Sequence, residues 1–158
     1  MVTSFRLFVL SLIIGFYVDA AEAQPANTAK LLTSIVEVTA EVPGDARTAR
    51  FLGAKRQGSG IVIDGDGLVL TIGYLILEAS SVEIGLGDGR KSPARLIAYD
   101  HETGLGLLRA TEPLGVAALQ LGDSDAAAVR QRVLVASHGG VSRASGGYIM
   151  SRRDFAAA

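Results

Sequence analysis

Three serines and a histidine are the residues that could do chemistry. Ser59 lies in Gly58-Ser59-Gly60, while Ser137 and Ser142 flank His138 in the run Ser137-His138-Gly139-Gly140-Val141-Ser142. A hydroxyl beside an imidazole is a nucleophile when the histidine takes its proton and returns it to the leaving group. That chemistry needs a third group to orient the ring, and no recognisable motif places a carboxylate for His138. Gly58-Ser59-Gly60 is not a nucleophile elbow, because Gln57 and Ile61 stand where that motif needs glycines. An isolated histidine in a glycine turn is more often a solvated loop residue, and that is the expectation for His138.

Other patterns exclude more than they promise. The 158 residues hold no cysteine and two histidines, His101 and His138, 37 positions apart. A disulfide scaffold and a thiolate metal site are excluded, and a histidine-rich metal site is not expected. Asp64-x-Asp66 begins like a calcium loop, but Leu68 occupies the next ligand position, so a hairpin turn is the better reading. Gly85-Leu86-Gly87 and Gly104-Leu105-Gly106 lack the third glycine of a dinucleotide fingerprint and open no helix. No cofactor and no metal are expected.

The elements that must position these residues read as strands. Ser34–Val38, Gly60–Asp64, Leu68–Ile72, Ser81–Leu86, Ala94–Tyr99, Leu105–Ala110 and Val133–Ser137 alternate or run apolar. Asp64-Gly65-Asp66-Gly67 and Asp88-Gly89 separate such runs, a hairpin signal of the type I′ kind. Short strands with turns at this spacing predict a β-barrel or sandwich. Helix signals after Gln24 are few, with one turn expected within Tyr74–Ala79. Glu41–Gln57 carries Arg47, Arg50, Lys55 and Arg56, yet Glu41 and Asp45 dilute the charge and make it a solvated surface loop rather than an anion site. Thr111–Gly122 reads as a connector between two units.

The first 23 residues are set apart. A basic start (MVTSFR), the apolar run LFVLSLIIGFYV and the small-x-small Ala21-Glu22-Ala23 form the pattern of a secretory signal peptide. The apolar run is well short of the roughly 20 residues needed to span a bilayer. Cleavage after Ala23 removes Arg6, Asp19 and Glu22 and takes the formal charge from −1 to 0. A neutral surface gives no electrostatic reason to expect nucleic acid, or a membrane after signal cleavage, as a partner.

Taken together, GSGIVIDGDGLVLTIGYLILEASSVEIGLGDGRKSPARLIAYDHETGLGLLRA resembles the first barrel of the trypsin-like serine proteases of the bacterial HtrA (DegP-like) type. In that family a GSG strand leads to an Asp-Gly hairpin, then to a strand ending in Thr-Asn-His-Val. A -DGR-x-x-x-A- hairpin and Asp-x-x-Thr-Asp-Leu-Ala-Leu-Leu follow. LGDSDAAAVRQRVLVAS, residues 121 to 137, resembles the start of the second barrel. The resemblance covers roughly residues 32 to 140. It implies an all-β protein with a trypsin-like antiparallel β-barrel, the first barrel complete and the second partial. The expected organisation is a signal peptide at 1–23, a first barrel at 24–111, a connector at 112–122 and a partial second barrel at 123–158. A secreted or periplasmic bacterial location is implied as well.

The same resemblance locates the triad positions and finds them altered. Tyr74, in Thr71-Ile72-Gly73-Tyr74, takes the place of the family's catalytic histidine. Gly104, in Thr103-Gly104-Leu105, takes the place of the aspartate. No Gly-Asn-Ser-Gly-Gly-type nucleophile loop is reached before Ala158. A phenol, with a pKa of about 10, is a proton donor and not a base at neutral pH. Loss of the serine or the histidine alone costs on the order of a millionfold in a triad enzyme. The expectation is therefore an exported HtrA-type homologue without peptidase activity and without catalytic residues, with Tyr74 as an aromatic plug and Asp100 and His101 in a surface turn. The alternatives are a periplasmic module that binds extended or unfolded peptides through open strand edges, an active hydrolase built on His138, and a fragment of a longer serine endopeptidase. Open edges also allow self-association.

Overall fold

A computed structural model describes residues 25–153. The signal-peptide expectation for 1–23 lies outside the described residues. A helix α1 (Pro25–Leu32) leads into six strands: β1 (Ile35–Glu41), β2 (Lys55–Val62), β3 (Leu68–Ile72), β4 (Ser81–Gly85), β5 (Lys91–Tyr99) and β6 (Leu105–Ala110). They pair antiparallel in the order β1-β2-β3-β6-β5-β4, and β4 closes on β1. This is the closed barrel that the resemblance implies. A short helix α2 (Ala49–Leu52) lies between β1 and β2, and β7 (Arg132–Ala136) pairs with β8 (Ala144–Tyr148) in a separate two-stranded sheet.

Period-two alternation fixes which side chains enter the barrel. Val36, Val38 and Ala40 of β1, Val69 of β3, Val82 and Ile84 of β4 and Leu108 of β6 are buried. Glu37 and Ser59 face outward, opposite one another in the β1–β2 register. The Gly58-Ser59-Gly60 motif follows from the same alternation. A Cβ on Gly58 would sit 2.5 Å from Leu75 Cδ1, and one on Gly60 would sit 2.6 Å from Val69 Cγ1. Neither position has room for a side chain, whereas Ser59 points away from the core.

Four sequence expectations need correction. The Asp-Gly turns join the predicted hairpins but are not type I′, because only Gly67 (φ +77°) and Gly89 (φ +86°) are left-handed there. The Asp64 carboxylate instead accepts the backbone N–H groups of Asp66 and Leu68, at 2.9 and 2.7 Å, an Asx turn that makes a second left-handed residue unnecessary. β2 starts at Lys55, inside the segment read as a solvated loop, and its Arg56 is buried. The helical turn falls on Gly73–Leu75, at the start of the expected stretch. Helix α1 and strand β8 have no counterpart in the sequence reading.

Candidate functional site

The corner after β3 brings Tyr74 and Gly104 to one end of the barrel. Leu75 and Ile76 turn inward and are 1 % exposed, which directs Tyr74 outward from the Gly73–Leu75 turn. The Gly73 N–H donates to the Gly104 carbonyl at 2.7 Å, tying the end of β3 to the start of β6. The Tyr99 ring lies over Gly73, so close that a Cβ there would meet Cε2 at 2.1 Å. Gly104 has φ +69° with open space beside it, a backbone conformation that glycine adopts without steric cost. Tyr74 is 47 % exposed. It does not fill the barrel end as a plug, because Leu75 and Ile76 already do.

Arg56 holds this corner from inside. Its guanidinium donates to the carbonyls of Gly53 (3.1 Å), Tyr74 (2.7 Å) and Leu77 (2.9 Å), and to Thr48 Oγ1 (2.7 Å). The Thr48 hydroxyl and backbone N–H in turn donate to the Glu78 carboxylate, and these bonds hold the Glu78 carboxyl below its usual value. Burial of the cation is thus offset by three carbonyls and a relay to one carboxylate.

Asp100 brings no carboxylate to Tyr74. Its two oxygens accept the Thr103 hydroxyl at 2.6 Å and the Glu102 N–H at 3.0 Å, bonds that keep its carboxyl below the usual range. His101 stacks edge-on against Tyr99, ring centroids 4.4 Å apart. Both belong to the surface turn before β6, as expected.

A second constellation comes together on the outer face of the barrel. Ser59 Oγ lies 3.3 Å from His138 Nδ1 and accepts the His138 backbone N–H at 3.1 Å. On the other side of the ring, His138 Nε2 is 3.7 Å from Glu37 Oε1. His138 is therefore not simply a solvated loop residue, and a carboxylate does face its imidazole, supplied by β1 through tertiary structure. Ser137 and Ser142 do not join it: the Ser137 N–H donates to the Arg143 carbonyl and the Ser142 hydroxyl to the Gly139 carbonyl. Ser145, in Ser145-Gly146-Gly147, sits within β8 opposite Val135 and not in a loop.

The order Ser59, His138, Glu37 imitates a triad, but its geometry is that of a clamp. The serine oxygen meets both the backbone N–H and the ring Nδ1 of His138, so the two contacts tie the turn after β7 to β2. The distance from Nε2 to Glu37 exceeds hydrogen-bond reach. The adjacent cavity of about 120 Å³ is walled by Glu37, Gly85, Gly87, His138 and Gly139 among others, and Ser59 does not line it. No cluster of three or more His, Cys, Asp or Glu side chains among the described residues could hold a metal ion.

Known proteins share this sequence and fold. The family model of the trypsin-like peptidase domain matches residues 58–156, more than half of the chain. The periplasmic serine endoprotease DegP of Escherichia coli (strain K12) is 34 % identical over 70 residues, covering 44 % of this chain and 15 % of that protein. The probable periplasmic serine endoprotease DegP-like of Pseudomonas putida (strain GB-1) is 33 % identical over 92 residues, 58 % of this chain and 19 % of the relative. The chain thus spans less than a fifth of the length of these curated relatives. Among solved structures, the HtrA-type protease AlgW with tripeptide superposes with a TM-score of 0.64 at 20 % identity, over 78 % of this chain and 38 % of that one. The relatives place the chain in the periplasm. It belongs to the trypsin-like peptidase family, as an HtrA/DegP-like member.

Proposed function

We propose that this chain is an HtrA-type protease domain without peptidase activity. The observation that carries the reading is the β3–β6 corner, where Tyr74 and Gly104 stand at the positions assigned to the family's histidine and aspartate. A phenol there does not accept a serine proton near neutral pH, and a glycine neither orients nor stabilises an imidazolium. Losing the histidine alone costs on the order of 8 kcal/mol of barrier height. The Ser59–His138–Glu37 group does not substitute, because it fastens the turn after β7 onto the barrel.

The test is a paired assay on the purified chain. It should not digest unfolded casein above a buffer blank, and a fluorophosphonate probe should label no serine. Casein cleavage lost on Ser59→Ala would overturn the reading and make the clamp a catalytic centre.

A second reading is favoured by the separate sheet. Among the described residues β7 and β8 pair only with each other, so each presents an unpaired row of backbone N–H and C=O groups. Such edges accept an added strand, which makes the domain a module for extended polypeptide.

A further inference from the structure

Two cavities adjoin where helix α1, the barrel and the turn after β7 meet. The larger, about 290 Å³, is lined by Ala29, Leu32, Ile35, Gly87 and Val141 among others. The smaller, about 120 Å³, has Glu37 and His138 in its wall. Ile35, Gly87 and Gly139 line both, so the pair forms one run, largely apolar along its length and polar at one end. Together they reach the size at which small-molecule sites begin, about 300 Å³. Glycines make this space: a Cβ on Gly87 or Gly140 would meet no atom within 4 Å.

The polar end has a defined hydrogen-bond pattern. Ser59 Oγ accepts the His138 backbone N–H at 3.1 Å and lies 3.3 Å from Nδ1. A proton on Nδ1 would leave the Nε2 lone pair facing the Glu37 carboxylate, acceptor against acceptor. Hydrogen bonding therefore assigns the ring proton to Nε2, with the Ser59 hydroxyl donating to Nδ1. Nε2 and Glu37 Oε1 face one another across 3.7 Å, too far for a direct bond. Among the described residues His138 is the one basic side chain within 4 Å of the Glu37 carboxylate. An oxygen about 2.8 Å from each atom fits between them. It must accept from Nε2–H and donate to Glu37, which a hydroxyl does. An ammonium has no lone pair for Nε2–H, and a carboxylate would set like charge against Glu37.

We infer that this run of two cavities binds a small neutral molecule with a hydroxyl head and a linear apolar tail. The head bridges His138 and Glu37, and the tail lies against Leu32, Ile35 and Val141. Water makes the same bridge, so the tail supplies the preference over solvent, about threefold to fourfold in affinity for each CH₂ it buries. The site uses neither Tyr74 nor Gly104, and it holds whether or not the chain cleaves peptides.

The experiment is an NMR titration of the full chain with 1-hexanol, hexylammonium and hexanoate, following the backbone amides of Gly87, His138 and Gly139. Hexanol should shift these amides and bind at least about tenfold more tightly than either charged probe. 1-Butanol, shorter by two CH₂ groups, should bind roughly tenfold more weakly than hexanol. Gly87→Leu should abolish hexanol binding. Gly87 is not left-handed and has open space at its Cβ, so the larger side chain enters the cavity without strain in the turn. Glu37→Lys should turn the preference to hexanoate, since two donors then face the head. The two variants act at opposite ends of the site, so each tests it if the other fails to fold. Hexanol that leaves the three amides unmoved would overturn the site and leave the bridge to water alone. Equal binding of the three probes would overturn the role given to His138 and Glu37. Hexanol binding unaltered by Gly87→Leu would overturn the location.

Discussion

The Gly73 N–H donates to the Gly104 carbonyl across 2.7 Å, so the residue just before Tyr74 is joined to Gly104 through backbone alone. Neither the Tyr74 side chain nor any side chain at Gly104 is needed to hold this corner. Exchanging Tyr74→His and Gly104→Asp together should therefore leave a folded protein. The left-handed φ of Gly104 makes aspartate there cost about 1 kcal/mol, since aspartate tolerates that conformation better than most residues. The double variant should still fail to digest casein, because neither change supplies an activated nucleophile. Casein cleavage by the double variant would show that the triad positions have been misassigned.

Arg56 offers a sharper test of how the corner is held. Replacing it with alanine strands three carbonyls and the Thr48 hydroxyl that its guanidinium now satisfies. Leaving buried acceptors unsatisfied in this way costs roughly 1–3 kcal/mol. Arg56→Lys should recover little, because an ammonium does not reproduce the planar fork of donors. Urea unfolding followed by circular dichroism measures both, and a midpoint unchanged in Arg56→Ala would mean that water replaces the guanidinium without loss.

How legible this molecule is from sequence depends on where each residue's partners lie. β3 and β6 have the bounds their alternation predicts, because both faces of each are set by local pattern and flanking turns. The start of β2 is hidden because Arg56 looks like a surface residue until Tyr74 and Leu77 fold over it. β8 is hidden because Ala-Ser-Gly-Gly-Tyr has no alternation and becomes a strand only by pairing with β7. The Glu37–His138 approach joins chain segments that no motif connects. Tyr74 and Gly104 are unremarkable residues taken alone, and only the family resemblance gives them meaning.

Acid should loosen the β2–β3 hairpin through Asp64. Its carboxyl is held below the ordinary 3.8, chiefly by the Leu68 backbone N–H, with the Arg109 guanidinium adding to the effect. A depressed folded-state pKa contributes stability that is complete above the unfolded value of about 3.9 and is lost as pH falls through the folded one. Asp64→Asn removes that contribution at every pH. The gap in urea midpoint between wild type and variant should therefore be wide at pH 6 and shrink as the pH is lowered below the unfolded value of about 3.9. A gap that stays constant would assign the effect to shape alone.

The His138 clamp should control how firmly the C-terminal hairpin is held. Among the described residues, its contacts with Ser59 and Glu37 are the only polar side-chain ties between the barrel and residues 123–153. A neutral hydrogen bond contributes about 0.5–1.5 kcal/mol net, so His138→Ala should speed hydrogen exchange in β7 and β8 by up to about tenfold. Exchange in β3 and β6 should not change. If barrel and hairpin accelerated together, His138 would be supporting the whole fold and not a joint.

The boundary between a protected barrel and a labile hairpin should fall near residue 120, at the far end of the connector. The connector is fastened to the barrel along most of its length. Leu114 is buried, the Ser34 hydroxyl donates to the Ala117 carbonyl, Arg90 Nη2 donates to the Leu114 carbonyl at 3.0 Å, and the Leu119 N–H donates to the Val62 carbonyl at 2.8 Å. Beyond it no residue through 153 is buried, and segments with few buried contacts open at low free-energy cost. Arginines make the difference easy to read with trypsin. The last site before the boundary, Arg109, is paired within β6 and bonded to Asp64 at 2.9 Å, whereas Arg130, Arg132 and Arg143 are exposed. Limited trypsinolysis with mass spectrometry should therefore first release fragments ending at these three arginines, leaving residues up to about 120 intact. Early cleavage at Arg109, or equal resistance at Arg109 and Arg132 in a monomer, would show that the hairpin is held by packing as strong as the barrel's own.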